Sequence, residues 1–514
     1  MQGSRTKNSS RNMIWGFLNK TITILLPFVT RTAMIYTMGM NYVGLGSLFT
    51  SILQVLSFAE LGIGSAIVFS LYKPIANEDE AKVSALLNFY RTAYRYIGII
   101  ILGVGLIMMP FLDKLVKGDI PNGINLQSLF AIYLINNILG YFLFAYKQAL
   151  FTASQRVDII SKIGMILQLC LSIIQISVLF YFHNYYVYAI AIPVITVLNN
   201  LIIASVSNKS YPQYKPSGKI NIEDRNEIRK KIGGMLFQKL GNIILNAADT
   251  IVISAFLGLS TLGVYNGYYL IVNSLFGFLT VIQQSIIPSI GNSIANESVE
   301  KNLADLKKIH FLYMWIVMWG CCCLLCLYQP FIRLWQGSDN MLSFTMVILF
   351  VAYFFSYKMG DICWMYREAM GLWWEARFIP LTSSIVNLGL NLCLVNLIGL
   401  PGILVSTIVS VALINVPWSS KVLFSKYFKS KLEFWLYLFR TIKYFIIMVT
   451  AAGLTWLVCN FIPGDKFLTL VIKTIICLIL PNCIILSISF KSKEFIAAKQ
   501  LLKRLIPKFF KHTK

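Results

Sequence analysis

The hydrophobic sequence of this chain runs twice. Polar punctuation recurs at an offset of roughly 219 to 221 residues along the 514. "GFLNK" at Gly16 to Lys20 returns as "GMLFQK" at Gly234 to Lys239, and Gly39 maps to Gly258. "YVGLGSLF" from Tyr42 answers "TLGVYNGYYL" from Thr261, and "YKQALFTASQR" from Tyr146 answers "YREAMGLWWEAR" from Tyr366. Short Gly and Leu patterns also match by chance in apolar sequence, but four motifs in one order at one offset favour a fold built from two similar halves.

Each half is too apolar for a soluble core. The chain is 57% hydrophobic and 13% charged, against about 25% charged in soluble domains, and its mean hydropathy is +0.69. Runs of about 20 apolar residues are each long enough to cross a bilayer core of about 30 Å. The pattern predicts about fourteen such spans in an all-α polytopic membrane protein. Two parallel six-helix lobes related by a pseudo-two-fold axis, plus two C-terminal helices, account for them. The expected boundaries are an N-lobe over 1–206, a basic linker over 207–231 carrying a short interfacial helix, a C-lobe over 232–425, two further helices over 426–490 and a basic tail over 491–514.

Most of the 45 Lys and Arg fall in the tails and in alternate loops, chiefly Lys209 to Lys231, Lys421 to Lys443 and Lys491 to Lys514. Cytoplasmic loops retain such residues, so both termini are expected in the cytoplasm. The opposite-side loops hold few, among them Lys114, Lys117, Arg333 and Lys466. The net charge of +24 then coats a membrane surface carrying anionic lipids and does not imply nucleic acid. The polar start from Met1 to Asn12 runs into a long span without a small-residue cleavage site, so no removable signal peptide is expected.

Signals for chemistry are missing. His183, His310 and His512 are far apart, and neither an HExxH pair nor a nucleophile elbow occurs. There is no GxxxxGK[ST] phosphate cradle either. The ten cysteines lie in apolar runs, so no disulfide framework is expected, and "CCCLLC" at Cys321 to Cys326 reads as small apolar packing. The expectation is a protein that is not an enzyme and carries no cofactor and no metal.

What remains is electrostatic. Lys20, Arg31 and Glu60 in the first half, and Lys239 and Asp249 in the second, sit in or beside apolar runs. An ionisable group at bilayer depth costs at least about 2.5 kcal/mol, so it faces a wet cavity or a partner. Gln238, Asn242, Asn246 and Asp249 share one helical face, as do Asn266, Tyr269, Asn273, Gly277, Thr280 and Gln284. Ser47, Gln54 and Ser65 are first-half counterparts. The candidate cavity residues are therefore Arg31, Lys20, Lys239, Gln54, Asn242, Asn246 and Asn273. Glu60, Asp249, Asp361 and Lys358 are candidates for ion coupling or gating. Helix-to-helix hydrogen bonding for packing is the competing role of each Asn and Gln. Lys20 and Lys239 are near enough to a membrane face to snorkel, and Lys358 and Asp361 can pair internally. Tyr265, Tyr268, Tyr269, Trp364 and Trp374 can stack on sugars or serve in interfacial belts.

Leu25 to Ile67, "LLPFVTRTAMIYTMGMNYVGLGSLFTSILQVLSFAELGIGSAI", resembles the Wzx-type polysaccharide flippases, the polysaccharide transporter branch of the MATE-like MOP superfamily. The central basic loop and the repeated "LGVYNGYYL" fit the same family over essentially the whole chain. The resemblance implies a MATE-like fold with two six-helix lobes facing a cavity. It implies alternating access, and transfer of undecaprenyl-diphosphate-linked oligosaccharide repeat units across a bacterial inner membrane. Expected partners are the lipid-linked oligosaccharide, a polysaccharide polymerase and glycosyltransferases of the same route, with Na+ or H+ coupling left open. Drug-exporting relatives resemble one another in deep first-lobe carboxylates, where this chain has mainly Arg31 and Lys20, with Glu60 near a span end. The lipid II flippases resemble a more Arg-rich cavity. A multidrug or cation antiporter, a lipid II flippase and a membrane glycan polymerase or ligase are the competing functions, and the short outer loops disfavour the last.

Overall fold

The computed structural model describes residues 2–60, 62–118, 120–462, 464 and 467–499. Lys466, the tail beyond residue 499 and the side chain of Gln238 lie outside the described residues. Among the described residues the chain is helical, with no strand. The first half comprises α1 (Gln2–Thr37), α2 (Met40–Leu56), α3 (Ile63–Ala76), α4 (Glu80–Met108), α5 (Leu126–Phe142), α6 (Gln148–Ala153), α7 (Val157–Tyr181) and α8 (Tyr185–Ser210). The second comprises α9 (Ile222–Leu257), α10 (Leu259–Asn296), α11 (Val299–Gln336), α12 (Phe344–Lys358), α13 (Asp361–Met370), α14 (Ile379–Ile398), α15 (Leu400–Ser410) and α16 (Val416–Lys426). Two further helices follow, α17 (Lys431–Asn460) and α18 (Phe467–Ser489).

Among the described residues eleven helical stretches are long and apolar enough to cross a membrane, two of them joined pairs, α12 with α13 and α15 with α16, or twelve if the bent α5–α6 pair is one span. The count of fourteen is therefore not reached on length and composition. The shortfall has a physical reason: α1 carries Lys20 and Arg31 in its apolar stretch, and α2 and α3 are each short, separated by a 3-10 turn at Ser57–Glu60. α9 also begins earlier than the apolar pattern predicts. It starts at Ile222, where the Asn221 side chain accepts the Asp224 N–H at 2.7 Å and acidic residues in the first turn suit the helix dipole. Among the described residues 211–221 no separate helix precedes it.

The duplication extends to backbone detail. α1 and α9 are both 36 residues long. Gly39 after the first has φ 97° and ψ 174°, and Gly258 after the second has φ 91° and ψ 171°. Side chains rarely adopt that region, so glycine at both positions is a backbone requirement. Helix starts repeat as well: Asp79 caps α4 by accepting the Lys82 N–H at 2.9 Å, and Ser298 caps α11 by accepting the Lys301 N–H at 3.3 Å. The cores repeat an aromatic pair. Phe49 meets Phe130 with ring centroids 5.5 Å apart, and the counterpart pair Tyr268 and Phe350 stacks at 5.7 Å.

The chain divides into two compact units, Met1–Asn266 and Gly267–Lys514. The division falls inside α10, so α9 belongs with the first unit. In unit 1, α1 packs on α7, α5 on α8 and α2 on α9. The first turn of α9 and the segment before it are tied to α4, with Lys82 Nζ 3.0 Å from Asp224 and Asn88 Nδ2 donating to the Gly218 carbonyl at 2.8 Å. In unit 2, α14 packs on α15, α12 on α15, and α11 on both α17 and α18.

One contact in unit 1 sets the closeness of its helices. A Cβ on Gly44 of α2 would lie 2.1 Å from the Leu259 carbonyl oxygen, and a Cβ on Gly263 would lie 2.3 Å from the Met40 carbonyl oxygen. The start of α10 therefore crosses α2 backbone to backbone, which small residues permit between membrane helices. By the sequence offset, Met40 corresponds to Leu259 and Gly44 to Gly263. The crossing is thus built from two copies of one contact.

Candidate functional site

Cationic side chains of unit 1 sit on α1 and α9. Arg31 of α1 is partly buried, and its Nη1 donates to the Asn266 carbonyl at 2.5 Å. A carbonyl supplies a dipole but no charge, and a guanidinium carries more donors than this contact uses. No ion pair engages Arg31 among the described residues. Lys20 is exposed on the same helix. Lys239 of α9 is partly buried, with Nζ 3.3 Å from Ser65 Oγ.

Neutral candidates fall into two sets. Gln54 on α2 and Asn242 and Asn246 on α9 are exposed, on two helices that pack together. Asp249, on the same helical face as Asn242 and Asn246, is only 6% exposed. The polar stripe of α9 therefore passes from open to buried along its length. On α10, Asn266 is buried and its Nδ2 returns to the Leu262 carbonyl at 3.0 Å, a packing role, whereas Asn273 in unit 2 is exposed.

Each unit also holds a carboxylate gripped by tyrosine. In unit 1 the Glu60 carboxylate accepts from Tyr94 Oη at 2.5 Å and from Tyr141 Oη at 2.7 Å, and Tyr90 Oη donates in turn to Tyr94 at 2.7 Å. In unit 2 Asp361 Oδ2 accepts from Tyr313 Oη at 2.5 Å, from Gln283 Nε2 at 2.5 Å and from Lys358 Nζ at 2.9 Å. Tyr94 and Tyr313 are repeat counterparts, and so are Tyr141 and Asp361. The tyrosine on the third span of each half is retained while the carboxylate moves from one neighbouring helix to another.

Glu60, Asp361 and the internal pairing of Lys358 with Asp361 are legible in the sequence, but the tyrosine partners are not, because tyrosines in apolar runs read as belt or stacking residues. The offset between Tyr94 and Tyr313 is the signal that finds them. Tyr265 and Tyr268 are 2% and 0% exposed, so they are core residues in the structure and not open stacking platforms. Tyr268 Oη donates to Gln329 Oε1 at 2.9 Å and accepts the Leu342 N–H at 3.0 Å. Trp374 is 60% exposed.

The Glu60 node carries a testable stability consequence. Glu60→Gln turns one acceptor oxygen into an N–H facing a hydroxyl donor, which costs about 1–3 kcal/mol. The expected readout is a lower unfolding midpoint in detergent, with Tyr94→Phe adding less in that background than alone. An unchanged midpoint for Glu60→Gln would show that these hydrogen bonds are not made.

In chemical terms, the cations can hold an anionic group, and both carboxylates are occupied by donors within their own unit.

A family model described as "Polysaccharide biosynthesis protein" matches residues 9–294, more than half of the chain. A comparison with curated protein sequences finds no match. Among solved structures, the lipid II flippase MurJ in an inward closed conformation is similar with a TM-score of 0.64 and 16% identity, over 93% of this chain and 98% of that one. An inward-facing multidrug resistance MATE family transporter of the MOP superfamily gives 0.60 and 15% identity, over 79% and 96%. The Vibrio cholerae MATE transporter VcmN gives 0.57 and 12% identity, over 84% and 100%. At these identities the likeness shows that the fold is shared.

Proposed function

Because the chain belongs to the polysaccharide biosynthesis protein family and has the fold of multi-pass MOP-superfamily transporters, we propose that it flips undecaprenyl-diphosphate-linked oligosaccharide repeat units across a bacterial inner membrane. Both termini face the cytoplasm, and surface polysaccharide assembly is the use. The route is alternating access between N-lobe and C-lobe, with Na+ or H+ as a coupling ion and the pathway's polymerase and glycosyltransferases as partners.

The observation that carries this reading is Arg31, partly buried and met, among the described residues, by the Asn266 carbonyl and no ion pair. A diphosphate moved through a low-dielectric passage requires cationic partners, and a guanidinium meets phosphate oxygens with paired, charge-assisted hydrogen bonds. Lys20 and Lys239 on the same unit are suited to collecting the anion. Carrying two negative charges outward against a cytoplasm-negative potential releases roughly 4–5 kcal/mol at 100 mV, so the absence of a phosphate cradle for ATP is no obstacle.

A drug-cation antiporter fits less well, because a cation needs an available anionic group and Glu60 and Asp361 already accept from hydroxyl, amide or ammonium donors. A lipid II flippase shares the diphosphate chemistry and differs in the headgroup. Reconstitution separates the readings. Proteoliposomes loaded with a fluorescent polyprenyl-diphosphate oligosaccharide should expose it to an external quencher faster than empty liposomes, with lipid II and cationic dyes moved more slowly. Preferential movement of lipid II or of a dye would overturn the assignment.

A further inference from the structure

We propose that unit 2 contains a thiol-only site for a soft monovalent metal ion, Cu(I), formed by Cys326, Cys459 and Cys477. This inference does not rest on the transport reading. The three cysteines come from three helices, α11, α17 and α18, and their sulfurs all lie within 4.8 Å of one another. They are 5%, 2% and 0% exposed. A triangle of that edge places its centre within about 2.8 Å of each sulfur, a few tenths of an ångström from metal–thiolate bonds of about 2.3 Å. Small side-chain rotations close the difference.

The donor set selects the metal. Among the described residues only sulfur is present: no imidazole or carboxylate joins the group, and soft thiolates favour Cu(I) over hard cations. Structural zinc takes four ligands in tetrahedral geometry, whereas three sulfurs suit a low-coordinate monovalent ion. Leu327, Trp456 and Ile476 pack against the cluster, with Cys323 one helical turn before Cys326, so apolar walls keep out the water that a fourth position requires. Cys459 is the penultimate residue of α17. Helices α17 and α18 follow the duplicated part of the chain, and the site fastens both to α11. Only Cys326 belongs to the "CCCLLC" run; the other two ligands are remote in sequence, so the run by itself does not disclose a site.

Anaerobic titration of the purified full-length protein with Cu(I), buffered by bathocuproine disulfonate, tests the assignment. One equivalent should bind per chain, and X-ray absorption should show a shell of sulfur alone. Because ligation displaces thiol protons, affinity should rise with pH. Each of Cys326→Ser, Cys459→Ser and Cys477→Ser should weaken binding at least about ten-fold, while Cys170→Ser, Cys393→Ser and Cys483→Ser, at exposed positions, should leave it unchanged. Where a serine variant misfolds, Ag(I) protection of the three thiols from alkylation in the unmodified protein supplies the same answer. Binding equal in the three variants, no binding against the competitor, or a disulfide joining Cys459 to Cys326 or Cys477 in protein purified under reducing conditions would overturn the proposal.

Discussion

Arg31→Ala is expected to reduce flipping of a lipid-linked oligosaccharide by one to two orders of magnitude while the protein still inserts and purifies as a single species. Arg31 meets the Asn266 carbonyl through one nitrogen at 2.5 Å and has no anionic partner among the described residues. Removing it therefore strands no buried countercharge, so the fold loses little. A phosphate bound by the guanidinium would lose charge-assisted hydrogen bonds of about 1.5–3 kcal/mol, a factor of roughly 10 to 100 in rate if the contact is made at the barrier. Arg31→Lys keeps the charge but not the planar fork, and should fall between the wild type and Arg31→Ala. Quencher accessibility of a fluorescent substrate in proteoliposomes, normalised to inserted protein, is the measurement. Wild-type rates for Arg31→Ala would remove this side chain from the mechanism and leave Lys20 and Lys239 as the cations to test.

The largest effect on folding is expected at Gly44. Adding a single methyl group places carbon 2.1 Å from the Leu259 carbonyl oxygen, an overlap that no side-chain rotation relieves because the obstacle is main chain. Overpacking costs about 1–3 kcal/mol even where side chains can yield, so Gly44→Ala should exceed that range and Gly44→Leu should fail to accumulate. Gly263→Ala, facing the Met40 carbonyl oxygen at 2.3 Å, should behave alike. Gly103→Ala is the control: nothing lies within 4 Å of its added Cβ, and alanine favours the helix by nearly 1 kcal/mol. Monodispersity and thermal midpoint in detergent decide the matter. A stable Gly44→Ala protein would mean that the two helices are further apart than described.

How far these features can be read in the sequence depends on whether they are local. Gly39 and Gly258 stand out because each ends an apolar run, and the structure gives both the same backbone conformation. Gly44 and Gly263 lie inside the repeated motifs, but which carbonyl each one faces is a matter of helix crossing and has no local mark. The carboxylate nodes escape a search for identical residues, since Asp361 stands where the first half has Tyr141, and Gln283 stands where it has Gly64. The open face of Asn242 and Asn246 follows from helical spacing, whereas the burial of Asp249 on that same face depends on neighbours that spacing does not report. The start of α9 at Ile222 is set by its cap and its acidic first turn, outside the apolar run. Cys459 and Cys477 join Cys326 only through tertiary packing.

The crossing of α2 with the start of α10 has the form of an isologous dimer interface written into one polypeptide, each contact being the image of the other. Drift at these positions is therefore constrained jointly: a bulkier residue in one copy cannot be relieved by changing its own partner, because what it meets is main chain. The connection between the copies, by contrast, is free to change in length and composition. Over evolutionary time such a molecule should hold Gly44 and Gly263 to small variation while its linker diverges.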